Sequence, residues 1–147
     1  MAATNRYMNV SACSFTPSGG SLTAIKGVQS ASYDEGGGSI KFAGDADLFP
    51  RVQVVNELDP AVTLEIQDAA FGLISIPAGQ VGSLTFTIND ALNGPTTGGG
   101  AKVFVLSNAV LLPRKVNQGF RQPGTQSLSF GAYASDGVTN PMAVTAA

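Results

Sequence analysis

The chain has 147 residues, enough for one domain with a packed core. Charged residues make up 12%, about half the usual ~25%, with a formal net charge of -2 and a mean hydropathy of +0.17. Histidine is absent and Cys13 is the one cysteine, which excludes His-dependent triads, His/Cys zinc sites and an internal disulfide.

The elements follow in chain order. MAATNRYMNVSAC holds no continuous apolar stretch, so no signal peptide is expected, and no run reaches the ~18–20 apolar residues of a membrane span. A strand is predicted over 8–15, with Cys13 as a buried small hydrophobe, and another over 22–33. YDEGGGSIKFAGDAD follows. Its acidic residues lack the alternate oxygen spacing of a calcium loop, because Asp45-Ala46-Asp47 runs into Leu48-Phe49-Pro50. Its glycines feed a strand pattern, Ile40 and Phe42 alternating with Ser39 and Lys41, whereas a phosphate loop would feed a helix. Gly36, Gly37 and Gly38 are therefore read as a hairpin tip that reverses the chain with positive φ. Asp34/Glu35 and Asp45/Asp47 are the close carboxylate sets. Without tryptophan or an aromatic platform they are read as solvated hairpin charge, not as glycosidase machinery.

A strand is predicted over 51–56. Val62, Leu64 and Ile66 then alternate with Thr63, Glu65 and Gln67, giving one core face and one nearly neutral polar face. Asp68 to Ile74 carries the one short helix predicted, with Asp68 as N-cap and Pro77 limiting its extent. Leu84, Phe86 and Ile88 alternate with Thr85, Thr87 and Asn89. LNGPTTGGG (92–100) is longer than an ordinary hairpin loop, and its Gly98, Gly99 and Gly100 leave it poor in side chains. AKVFVLSNAVLL (101–112) is apolar on both faces. Val103 and Val105 fall on one, Phe104, Leu106, Val110 and Leu112 on the other, so cover is expected on both sides, from a helix or a neighbouring subunit. Leu128, Phe130, Ala132 and Ala134 alternate with Ser127, Ser129, Gly131 and Tyr133, and a short strand is predicted over 143–146. Turn signals every 8 to 15 residues make this an all-β protein, an antiparallel sandwich or barrel with one short flanking helix and long loops.

The scarcity of charge points to a surface hidden in an assembly. The scattered basic residues form no stripe of the kind a specific nucleic-acid binder needs. No residue is assigned a catalytic, cofactor-binding or metal-binding role.

In their order along the chain, YDEGGGSIKFAGDADLFP, LDPAVTLEIQDA, GSLTFTINDALNG, VFVLSNAVL and FGAYASDGVTNP give residues 22–145 a texture that resembles the bacteriophage tail tube (major tail) proteins. That family is similar in fold to the type VI secretion tube protein. The resemblance implies one tail-tube-like β domain over 1–147, hexameric rings stacking into a hollow virion tube, and passage of genomic DNA. It implies no specific nucleic-acid binding and no membrane. Tape-measure, baseplate and sheath proteins are the partners it suggests. The virion is the expected location, after synthesis in the host cytoplasm.

Within that reading, Thr63, Glu65, Gln67, Thr85 and Thr87 are the expected lumen set, since a wall without Lys or Arg lets phosphates slide. Phe104, Leu106, Val110 and Leu112 are the expected subunit interface. Gly36, Gly37, Gly38, Gly98, Gly99 and Gly100 lie in the expected assembly loops. Another small virion β-protein, for capsid decoration or tail completion, and a secreted adhesin-like module are the alternatives.

Overall fold

The structure is a computed structural model that describes residues 7–67, 76–90, 102–122 and 124–146. The expected helix over 68–74 and the 92–100 loop lie outside these residues. Among the described residues every regular element is a strand: β1 Tyr7–Pro17, β2 Thr23–Ala24, β3 Val28–Asp34, β4 Gly38–Phe42, β5 Val52–Glu57, β6 Ala61–Ile66, β7 Val81–Asp90, β8 Lys102–Leu111, β9 Lys115–Asn117, β10 Thr125–Ala132 and β11 Met142–Ala146.

Nine of these form one antiparallel sheet in the order β2-β1-β7-β8-β10-β6-β3, with β11 on β8 and β9 on β10. The sheet curls so that β1 and β3, far apart in this order, come into contact and its inner face closes on one core. Phe15 of β1 touches Phe130 of β10 across that core, ring centroids 5.3 Å apart. Val62, Leu64 and Ile66 of β6, Leu84 and Phe86 of β7, and Leu128 and Phe130 of β10 all point inward and are buried. Period-2 alternation thus marked the core face of these strands correctly. Gln126 occupies the next inward position of β10 and is buried too, its amide unpartnered among the described residues.

Two β-bulges displace the alternation on either side of β7. Ala12 and Cys13 together oppose Phe86, and Ser107 and Asn108 together oppose Ser83. Ala12 and Asn108 both have φ of 51°. Asparagine tolerates that left-handed conformation; alanine does so at a cost. The first bulge leaves Cys13 and Phe15 inward. Burial pushes the Cys13 thiol up to about 11. Cys13 is therefore expected to react with a disulfide reagent at neutral pH only after denaturation; fast labelling of the native protein would contradict this placement.

The second bulge corrects the sequence reading of 101–112. Phe104 and Leu106 point inward, but beyond Asn108 the inward residues are Ala109 and Leu111, so Val110 and Leu112 face outward. The four residues do not share a face. Leu106 is fully buried in the subunit's own core and presents nothing to a partner.

Among the described residues β4 and β5 stand outside the main sheet and pair only with each other. β3, which leads into Gly36–Gly38, pairs with β6, so these glycines are not a hairpin tip. They form the base of a projecting ribbon whose tip is 43–51. The backbone N–H of Asp59 donates to the Glu35 carbonyl at 2.9 Å, tying the two legs together. Gly37 has φ of 89°, and a Cβ there would lie 1.9 Å from the Glu57 carbonyl oxygen, so only glycine fits at this crossing.

Candidate assembly surface

The β4–β5 ribbon is amphipathic. Its register sets Ile40 opposite Val54 and Phe42 opposite Val52, and residues two apart on a strand share a face. Ile40, Phe42, Val52 and Val54 therefore make one apolar face, with Ser39, Lys41, Gln53 and Val55 on the other. The Gln53 amide donates to the Ser39 hydroxyl on that second face. All of these residues are exposed. A two-stranded ribbon gains little stability by itself, and among the described residues no element covers its apolar side.

The ribbon tip is built, not slack. Asp47 accepts from the Gly44 backbone N–H at 2.7 Å and forms a two-point pair with Arg51, with Nε to Oδ2 at 2.6 Å and Nη2 to Oδ1 at 3.1 Å. The bond from Arg51, then that from Gly44, holds the Asp47 carboxyl below its ordinary range. Next to this clamp, Leu48 and Phe49 are 93% and 79% exposed. Asp34 likewise serves its turn, accepting from Gly36 N–H at 2.8 Å. The described carboxylates form no group of three that could hold a metal ion.

A cleft of about 570 Å³ opens between the base of the ribbon and the 133–141 loop. Tyr33, Glu35, Glu57, Leu58, Tyr133 and Val138 are among its lining residues. Burial, then the Glu35 carboxylate, raises the Tyr33 hydroxyl above the ordinary phenol value. Asp136, outside the lining, fixes the turn that carries Val138 and Thr139 of the cleft wall. The Thr139 hydroxyl and the N–H groups of Val138 and Thr139 donate to its carboxylate and lower it to about 2.

No family model matches the chain, and no curated protein sequence does. Solved structures do resemble it. A chain in the cryo-EM structure of the anti-feeding prophage (AFP) cap, the AFP tube terminating cap, aligns with a TM-score of 0.58 and 10% identity, over 100% of this chain and 95% of that one. A chain in the 6-fold symmetrised cryo-EM structure of the anti-feeding prophage baseplate aligns with a TM-score of 0.54 and 12% identity, over 99% of this chain and 96% of that one. At such identities the likeness is one of fold, and it runs the length of both chains.

The sequence-based site residues are scattered over the molecule. Thr63 and Glu65 lie on the outer face of β6, between Ser30 and Ser32 of β3 and Ser127 and Ser129 of β10, and Gln67 lies just past the end of β6. The Ser127 hydroxyl donates to Glu65 at 2.9 Å. Lys115 of β9 is opposite Ser127 and joins the same face. Thr85 and Thr87 lie on the outer face of β7, beside Val103 and Val105 of β8. Both sets point away from the core, and β8 and β10 separate their strands, so they do not make one surface. Phe104 is half-covered, stacked on Phe86 at 5.0 Å and opposite the exposed Val144 of β11. Gly36, Gly37 and Gly38 sit at the ribbon base; Gly98, Gly99 and Gly100 lie outside the described residues.

Ile40 and Phe42 read from the sequence as the core face of a short strand, but the structure leaves both exposed, on a ribbon face shared with Val52 and Val54. The signal for that shared face was present: Ile40/Phe42 and Val52/Val54 alternate with polar residues symmetrically about AGDADLFPR.

Proposed function

We propose that this chain is a structural subunit of a phage-tail-like tube, self-assembling into stacked rings, six subunits to the ring, around a channel that passes DNA. The observation that carries this reading is the β4–β5 ribbon, whose apolar face is about half exposed and is covered by no element among the described residues. A contiguous exposed apolar surface on a small soluble protein marks an interaction site. The low charge of the chain fits the same picture, and so does a fold shared with chains of a tube-terminating cap and of a 6-fold symmetrised baseplate.

In this reading one outer face of the sheet lines the channel. The β3-β6-β10 face suits that role better than the β7-β8 face. It presents Ser30, Ser32, Thr63, Ser127 and Ser129, and its Glu65 is held by Ser127 and balanced by Lys115. A hydrated wall without a net positive ring offers DNA phosphates no lasting partner. The β7-β8 face, with half-buried Val103 and Val105, suits contact with another subunit.

Electron microscopy of the purified protein tests the proposal. Hollow tubes of stacked rings are expected, with Glu65 toward the channel. A strict monomer at every concentration overturns self-assembly, and Glu65 at a subunit contact overturns the lumen assignment. A single ring that ends a tube without repeating along it is the second reading, favoured by the likeness to a chain of a tube terminating cap. Discrete rings that never stack would support that reading against the first.

A further inference from the structure

The ribbon tip and the cleft at the ribbon base are a knob and a hole on one molecule that cannot meet within it. A strand rises about 3.3 Å per residue, so the run from Gly38 to Phe42 holds the tip roughly 13 Å beyond the base. The high exposure of Leu48 and Phe49 shows that they do not fold back. We propose that the tip of one copy, Leu48-Phe49-Pro50, docks into the cleft of the next copy, between the ribbon base and the 133–141 loop. This rests on the self-assembly reading above and assigns the contact that carries it.

Three features fit a second copy as occupant. The knob is apolar and rigid, because the Asp47–Arg51 clamp and the Gly44 N–H fix the turn that carries it. A cleft of this volume lies within the ~300–1,000 Å³ range that buries compact ligands, and Leu58, Tyr133 and Val138 give it apolar walls. The charges are also complementary. Glu35 and Glu57 line the cleft, while Lys41 on the ribbon's polar face has no ion pair among the described residues. Lys41 offers these carboxylates an opposite charge, and at the tip Arg51 already offsets Asp47, which limits like-charge repulsion against the cleft. Because knob and hole are different patches, the contact is head-to-tail, and such contacts propagate into rings or filaments instead of stopping at a dimer.

Disulfide trapping tests this. Phe49→Cys and Val138→Cys alter side chains that are 79% and 88% exposed, so both variants are expected to fold. Cys13 is buried and stays silent. The two variants, mixed under assembling conditions and mildly oxidised, should give a mixed dimer on a non-reducing gel. Phe49→Cys mixed with Phe120→Cys, which is exposed and outside the cleft, should not. A single chain carrying both Phe49→Cys and Val138→Cys should give a ladder of dimers, trimers and longer species. If particles form by light scattering but the Phe49–Val138 bond is no more abundant than the control, the docking is wrong and self-assembly stands. If no particles form with the unmodified protein, the assembly reading falls and takes the docking with it. A product that stops at a covalent dimer overturns the head-to-tail geometry.

Discussion

Replacing Ile40 and Phe42 together by threonine is expected to leave a folded subunit that assembles only at roughly ten- to hundredfold higher concentration. The magnitude follows from area. Fully burying a large apolar side chain is worth about 1.5–3 kcal/mol, and Ile40 and Phe42 are 44% and 57% exposed in the subunit. Covering the remaining half of both stabilises an interface by roughly 1.5–3 kcal/mol, and each ~1.4 kcal/mol is tenfold in affinity. Threonine keeps the strand propensity of the ribbon, and neither residue belongs to the core, so the thermal midpoint of the subunit should hardly move. Sedimentation across a concentration series reads the shift. Assembly at the unmodified protein's concentration would show that the ribbon's apolar face is not an interface.

The same ribbon shows what the sequence conveyed and where it stopped. Alternation at 62–66, 84–88 and 128–130 reads out the core, because those strands bury one face within the chain. The pattern at 40–42 and 52–54 is chemically identical, yet among the described residues the face it marks stays about half exposed. Periodicity reports that a face is apolar, not which molecule covers it. Positive φ was legible in the three glycines and is found at Gly36 and Gly37 but not at Gly38, the first residue of β4. Their position at a ribbon base depended on β3 choosing β6 as neighbour over β4, a long-range pairing that no local residue encodes. Asp34 and Asp47 read from the sequence as solvated charge of a chain reversal, and each accepts a backbone N–H within its own turn. The lumen set was assembled from strands of similar chemistry, but similar strands on opposite sides of a core point in opposite directions.

Bulges set the other limit. One extra residue turns every later side chain to the opposite face, and around Ser107-Asn108 the only local sign is an asparagine able to adopt positive φ. A pair of substitutions makes this measurable. Leu106→Lys is expected to abolish folding, whereas Leu112→Lys should leave stability within about 0.5 kcal/mol of the unmodified protein. Without the bulge the two positions would share a face and respond alike. Leu106 is fully buried among Leu84, Met142 and the core of the sheet. Losing its packing alone costs about 2–5 kcal/mol. An ammonium left there unpaired adds several more, which together rivals the whole ~5–15 kcal/mol stability of a domain. Leu112 lies past the end of β8 with its side chain 39% exposed. Its backbone N–H donates to the Ser129 carbonyl at 2.9 Å, a bond that lysine keeps. Circular dichroism during urea unfolding separates the outcomes: no cooperative transition for Leu106→Lys, and a midpoint near that of the unmodified protein for Leu112→Lys. Equal destabilisation by the two would place both residues on one buried face and remove the bulge from the account of β8.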